Sequence, residues 1–418
     1  MNLLKSLSKN RKVFIDTFFY LLASIIPSLI LVIINPLLAK NLSPEDYAII
    51  GYVNSFSSIV TPLVTFMLLR YYFVNYFKVD ENLRNRIKSS ILHTLILFSF
   101  FMCLFVIGCI TIYHKYFNVS STIPLYPYLL FIVFAIWLGT LFTFQLSEYR
   151  IQRLSQKYFW FSLSHGITKI ILLLFLVVVL GRGALGYELA TCLTALIYFV
   201  YSFYKYRHFI FTSIEFSIIR DVLKFCWPIA LAGCLEFFSH GMGRVMVERL
   251  GDNVEYGYYI VGNQFATYIS LVTTALFTAF NPDIYESAAK GNKRKLMKIF
   301  GILFSVETIV VLLFIILAPH IVSILTAGRY VMSVKYAQIL AVSQIFTLVF
   351  YYINDVTIAY GRTKIVMWTK LIVGVLSIVI LQNMIANGAY VGAAWGQTVI
   401  YILYSVINLG FLIIIKNK

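Results

Sequence analysis

The sequence predicts an all-α integral membrane protein, with about twelve transmembrane helices in two pseudo-symmetric six-helix bundles and both termini cytoplasmic. Three observations predict it. About a dozen separate stretches are apolar over roughly 18 residues or more, the length a helix needs to cross about 30 Å of hydrocarbon. The chain is 60% hydrophobic and only 12% charged over 418 residues, against about 25% charged in ordinary soluble domains. Finally, 25 of the 34 Lys and Arg fall in every second gap between the apolar stretches, the asymmetry that separates cytoplasmic from external loops.

In chain order the apolar runs place helices at 13–39, 47–73, 89–113, 125–147, 158–180, 185–204, 225–248, 256–281, 298–318, 334–358, 364–385 and 390–415. Lys5, Lys9, Arg11 and Lys12 precede the first. Arg70, Lys78, Arg84, Arg86 and Lys88 follow the second, and Arg150, Arg153 and Lys157 follow the fourth. The same side then receives Lys205 to Lys224, Lys290 to Lys298, Arg362 with Lys364, and Lys416 with Lys418. The alternate gaps hold only Lys40, Lys115, Arg182, Arg249, Arg329 and Lys335. Because the bias holds at every hairpin, the helix number is expected to be even.

The formal charge of +17 does not point to nucleic acid. The basic residues sit in short clusters at helix ends, where they set topology and meet anionic headgroups. Cys103, Cys109, Cys192, Cys226 and Cys234 lie within apolar spans without C-x-x-C spacing, so packing rather than redox or zinc chemistry is expected of them. No metal or cofactor is expected. The basic N-terminus precedes an apolar run longer than a signal-peptide core, so the first helix is expected to be retained. Polar gaps reach only about 15 to 20 residues, too short for an external catalytic domain. With no nucleotide-phosphate loop in view, the chain is not expected to be an enzyme.

Two halves echo one another. Asn41-Leu-Ser-Pro-Glu-Asp-Tyr47 after the first helix matches Arg249-Leu-Gly-Asp-Asn-Val-Glu-Tyr256 after the seventh, with one residue inserted. Gly183-Ala-Leu-Gly186 before the sixth helix matches Gly388-Ala-Tyr-Val-Gly392 before the twelfth. The expected domains are therefore 1–208 and 209–418, a parallel repeat about an axis along the membrane normal. Transporters built this way place substrate between their bundles.

Ionisable side chains at mid-membrane cost roughly 2.5–3.5 kcal/mol on insertion scales, so each is a candidate for a wet cavity or a paired site. Lys169 lies about 16 Å into the fifth helix at 1.5 Å per residue, and Lys370 repeats its Thr-Lys-apolar context in the other half. Glu236, His240, Arg244 and Glu248 follow one another at i, i+4 in the seventh helix, which predicts one polar stripe, either on a cavity or paired internally. Lys169, Arg244, Lys370 and His240 are the candidate substrate-binding groups. Glu307, Asp16, Glu236, Glu248 and Asp355 are the candidates for ion coupling by H⁺ or Na⁺. Glu307 leads, because a carboxyl enclosed by apolar neighbours responds strongly to any change in access. No second His or Cys stands at metal-ligand spacing from His240.

The tract Leu42-Ser-Pro-Glu-Asp-Tyr47, the segment Leu223-Lys-Phe-Cys-Trp-Pro228 and the Gly-Ala-x-Gly tract before the sixth helix resemble those of bacterial polysaccharide-biosynthesis flippases. These include the O-antigen flippases of the multidrug/oligosaccharidyl-lipid/polysaccharide exporter superfamily. The likeness extends over nearly the whole chain through helix number, length and topology. It implies translocation of an undecaprenyl-pyrophosphate-linked oligosaccharide across the bacterial inner membrane, with polysaccharide polymerase and chain-length proteins as possible partners. Many such proteins carry an acid directly before the basic residue of the seventh helix. Here Gly243 precedes Arg244, so the resemblance supplies no acid-dependent coupling step at that place. Two alternatives stay open: a cation-coupled multidrug exporter of the same superfamily, and a polytopic membrane glycosyltransferase or polysaccharide polymerase.

Overall fold

The computed structural model describes residues 26, 30–76, 79–117, 123–360 and 362–416. Among them every regular element is helical. Eight helices are long and apolar enough to cross a membrane, or nine if the bent pair Phe216–Phe238 and Met242–Glu248 counts as one span. Most of the first expected helix lies outside the described residues, which take in α1 (Ile30–Asn41).

The helices begin where capping chemistry allows. At α2 (Pro44–Ser55) the Ser43 hydroxyl accepts from the Asp46 N–H at 3.1 Å and Asp46 Oδ2 accepts from the Ser43 N–H at 2.9 Å. This reciprocal box satisfies two orphan donors, and Pro44 at N1 has no donor to lose. The matching tract opens α13 (Asn253–Ala289), where Asp252 accepts from the Glu255 N–H at 2.9 Å. The sequence echo between Ser43 and Asp252 is therefore an echo of helix N-caps.

Two spans are interrupted among the described residues. After α2, the helix α3 (Ser57–Thr65) contains Pro62 and stops before Phe66 and Met67, whose φ angles are 45° and 51°. The chain restarts as α4 (Leu69–Asn75). It continues as α5 (Glu81–His93), which runs through a π-helical turn into α6 (Ser99–Phe117), then α7 (Tyr128–Ile151), α8 (Ser155–Leu173) and α9 (Gly183–Ile210). Next, α10 (Phe216–Cys234), α11 (Glu236–His240) and α12 (Met242–Glu248) form one broken run with a 41° bend. After α13 come α14 (Lys293–Leu325), α15 (Val334–Ala359) and α16 (Thr363–Lys416), a run in which two helices meet at Ala389, with φ 45° and ψ −128°. Broken backbone at membrane depth persists only inside protein or beside a wet cavity.

The chain divides into two compact units. One takes in Ile59–Val119 and Pro124–Cys234 with the segment ending at Leu42, and the other takes in Ser43–Ser58, Ser120–Ile123 and Leu235–Lys418. In the first unit Leu68, Tyr72, Ile91, Leu141, Phe144 and Tyr206 pack together. In the second, Phe277, Ile284, Leu296, Leu303, Leu348 and Tyr352 do. Apolar surface faces outward as well: on α14, Ile309, Leu313 and Ile316 are exposed while Leu303, Glu307 and Val311 are wholly buried. That inversion suits lipid, where the hydrophobic effect no longer drives helices together and close packing and polar contacts must.

Close packing shows at both Gly-Ala tracts. A Cβ on Gly186 would lie 2.9 Å from the Leu176 carbonyl oxygen, and one on Gly392 would lie 1.8 Å from that of Met384. At each site a glycine early in one helix meets a carbonyl near the end of the preceding one, so the second sequence echo has the same steric cause in both places.

Candidate functional site

In the C-terminal unit, Arg244 on α12 is part-buried. Tyr256 and Tyr259 of α13 and Tyr401 of α16 lie within electrostatic reach of its guanidinium. All three rings are buried to 2% exposure or less, and Tyr256 stacks on Tyr259 with centroids 6.4 Å apart. Glu248, one turn further along α12, is 1% exposed and acts on Tyr256 as well. A planar guanidinium among phenol hydroxyls is a fixed cation in a polar shell within an otherwise apolar unit.

Lys370 of α16 forms an ion pair with Glu236 of α11. The span that carries these four residues is not straight: it breaks at Leu235 and Gly241 and bends by 41°. Gly241 packs against α2: a Cβ there would be 2.6 Å from the Ser55 carbonyl oxygen. Glu236 consequently meets a lysine 134 positions away rather than its own helix neighbours. His240 lies in α11, and its side chain is outside the described residues, as is Asp16.

Glu307 is fully buried on α14. The Thr273 hydroxyl donates to its Oε1 at 2.7 Å, and Oε2 meets no donor. Asp355 is part-buried on α15, within electrostatic reach of Tyr351. Of the described acids, Glu236 and Asp355 share a neighbourhood, since both act on Tyr351. Glu236 is paired, Glu307 stands with Thr273 between α13 and α14, and Asp355 lies on α15.

In the N-terminal unit, Lys169 of α8 is part-buried, with its ammonium 5.9 Å from the Tyr187 ring centroid and Glu188 of α9 within electrostatic reach. One turn before it, His165 stacks on Phe142 with centroids 4.1 Å apart and packs edge-on against Tyr198. Both Thr-Lys contexts therefore place lysine beside a glutamate, Glu188 in one unit and Glu236 in the other. A neighbouring cavity of about 440 Å³ is lined by Tyr149, Trp160, Phe161, Tyr198, Tyr201 and Lys157, among others.

Sequence reasoning missed one buried ion pair. Lys88 of α5, counted as a loop charge, pairs with Glu148 of α7, and the Tyr206 hydroxyl of α9 donates to the same carboxylate. Nearby, the Ser89 hydroxyl donates to the Phe209 carbonyl at 2.7 Å and His93 Nε2 lies 2.7 Å from the Ile210 carbonyl. These groups satisfy orphan carbonyls at the C-terminus of α9 and set a cation at its negative dipole end. The Ser89, His93 spacing, i to i+4 behind Lys88, was the available signal. At Glu215, outside the spans, the Arg86 Nε–H is shared between both carboxylate oxygens, at 2.8 and 3.0 Å, Nη2 donates to Oε2, and the carboxyl is held below its ordinary range.

The family model described as "Polysaccharide biosynthesis protein" matches residues 37–338, well over half of the chain. The chain belongs to that family. No curated protein sequence matches this polysaccharide biosynthesis protein significantly. Among solved structures it is similar to an inward-facing multidrug resistance MATE-family transporter of the MOP superfamily, at 12% identity and TM-score 0.70 over 96% of each chain. It is also similar to the lipid II flippase MurJ in an inward closed conformation, at 15% identity and TM-score 0.68 over 95% of this chain and 87% of the other. A eukaryotic MATE transporter matches at 17% identity and TM-score 0.66 over 97% and 96%. At such identities the likeness is one of fold: the chain shares the helical fold of these transporters.

Proposed function

We propose that this protein is a flippase that moves an undecaprenyl-pyrophosphate-linked oligosaccharide from the cytoplasmic to the periplasmic leaflet of a bacterial inner membrane. Two six-helix halves, 1–208 and 209–418, alternate access, and both termini are cytoplasmic. The observation that carries this reading is membership of a polysaccharide-biosynthesis family by a chain whose units bury cations, Lys169, Arg244 and Lys370, beside carboxylates and phenols. A glycan and its pyrophosphate need a polar route through hydrocarbon, while a polyprenyl tail can stay in lipid. Arginine and lysine offset the anionic head, and arginine grips it with a bidentate fork. H⁺ or Na⁺ exchange at Glu307 is the favoured source of coupling.

The test is lipid-linked oligosaccharide flipping in proteoliposomes, wild type against Lys169→Ala and Arg244→Gln. Loss of flipping in well-folded variants is expected, and an unchanged rate removes the residue from the site. A multidrug exporter would instead change drug sensitivity on overexpression, whereas loss of this flippase removes surface polysaccharide.

A further inference from the structure

The N-terminal unit contains a cavity that none of the sequence-predicted cations enters. Its volume is about 580 Å³ and its polar wall consists of Thr61, Thr65, Arg70, Thr143, Ser147 and Arg150. The rest of the lining is apolar apart from Thr140, and no carboxylate lies on it. Both arginines are exposed, and the Arg150 guanidinium is 5.7 Å from the Phe73 ring centroid.

A break in the helix makes this wall. At 3.6 residues per turn, Arg70 in an unbroken helix would stand about 180° around from Thr61 and about 140° from Thr65. The left-handed pair Phe66 and Met67, with φ 45° and 51°, undoes that separation and brings Arg70 onto the side of the two threonines. Non-glycine residues rarely adopt this conformation, and two in succession at membrane depth need a reason. The turn is tied down within its unit, with the Cys226 thiol donating to the Met67 carbonyl at 3.6 Å and the Met67 N–H to Thr65 Oγ1 at 3.4 Å. Opposite it, Thr143, Ser147 and Arg150 follow at i, i+4 and i+7 on one face of α7. Both arginines belong to gaps on the expected cytoplasmic side.

We propose that this cavity is the cytoplasmic-side subsite for a phosphoanionic headgroup carrying at least two negative charges, the pyrophosphate of a lipid-linked substrate. The proposal rests on the flippase reading above. Two guanidinium forks match two phosphate charges, hydroxyls complete the donor set, and no acid repels the anion. A bilayer phosphodiester carries one charge and leaves one arginine unmatched.

The experiment titrates farnesyl pyrophosphate into the full chain in phosphatidylcholine nanodiscs at low salt, by calorimetry. Arg70→Gln and Arg150→Gln are each expected to weaken Kd by about 10-fold or more, and the double variant further. Arg220→Gln, on the same expected side but off this wall, stays within about 2-fold of wild type. Where the double glutamine variant fails to fold, Arg70→Lys/Arg150→Lys keeps the charge, loses the forks and must still weaken binding several-fold. An unchanged Kd in the double variant overturns the proposal. So does displacement by phosphatidylglycerol as effective as by the pyrophosphate. Absent binding in a wild type that flips substrate overturns this subsite alone, while binding without flipping overturns the flippase reading alone.

Discussion

Removing Lys88 should destabilise the N-terminal unit more than removing Lys88 and its partners together. Lys88 and Glu148 side chains are 10% and 7% exposed, and the Lys88 ammonium also lies 4.2 Å from the Phe209 ring centroid. Lys88→Met strands a carboxylate whose remaining donor is the Tyr206 hydroxyl, and breaking a buried pair this way costs about 3–5 kcal/mol. Loss of the cation–π contact adds roughly 0.5–2 kcal/mol. Replacing the whole set, Lys88→Met with Glu148→Leu and Tyr206→Phe, leaves no buried charge or orphan hydroxyl. It should return to within about 2 kcal/mol of wild type, since apolar substitutes for buried pairs are often neutral or better. Unfolding free energies in mixed detergent micelles, taken as a mutant cycle, measure the difference. A triple variant as unstable as Lys88→Met alone would refute the reasoning, because the cost would then lie in losing the network's own contacts and not in a stranded carboxylate.

Gly392→Ala should lower the unfolding midpoint by the equivalent of about 2 kcal/mol or more, because its Cβ meets the Met384 carbonyl. Gly388→Ala, where a Cβ meets nothing within 4 Å, should be nearly neutral in the same melt. The swap Glu236→Lys/Lys370→Glu should restore the yield lost in Lys370→Glu while flipping stays low, and recovery of full flipping would show that the pair is only structural. Glu307→Gln preserves shape and the Thr273 contact. It should fold with a stability change within about 1–2 kcal/mol but flip without dependence on an imposed ion gradient, and a retained dependence would exclude Glu307 from coupling.

Much of the fold was legible because lipid imposes a length rule that sequence records directly. The runs expected at 89–113, 125–147, 158–180, 185–204, 298–318 and 334–358 overlap α5–α6, α7, α8, α9, α14 and α15, although α5 already begins at Glu81 and α14 extends to Leu325. Ser43 and Asp252 were readable as parallel signals because capping is local chemistry. The break at Phe66 and Met67 was not, since neither is glycine and only the surrounding packing holds their φ angles positive. The bend in the seventh span was hidden for a related reason. An i, i+4 series reports a face only while the helix is straight, and α2 packing at Gly241 bends it. Pairing was the least legible feature: Lys88 with Glu148 and Lys370 with Glu236 are 60 and 134 positions apart.

Those pairings bear on transport. Lys88, Lys169 and Lys370 each have a carboxylate beside them within their own unit, and Arg244 has three phenols and Glu248 close by. A cation already balanced by a fixed acid attracts a passing phosphate weakly, because the anion must displace or share the acid's charge. That weakness suits a group which has to let go of its cargo on the far side. The wall holding Arg70 and Arg150 lacks such an acid, so it is the place where an anionic head gains most on arrival. Under the proposed flippase function, capture by unbalanced arginines and release past balanced lysines would give transport a direction of affinity without any change in charge count. On this argument, placing an acid on the cavity wall, as in Thr143→Glu, should slow flipping by weakening capture. An acid lost from a balanced pair, as in Glu236→Gln, should slow it by holding the head too long, and the two defects separate in a binding titration as a raised and a lowered Kd.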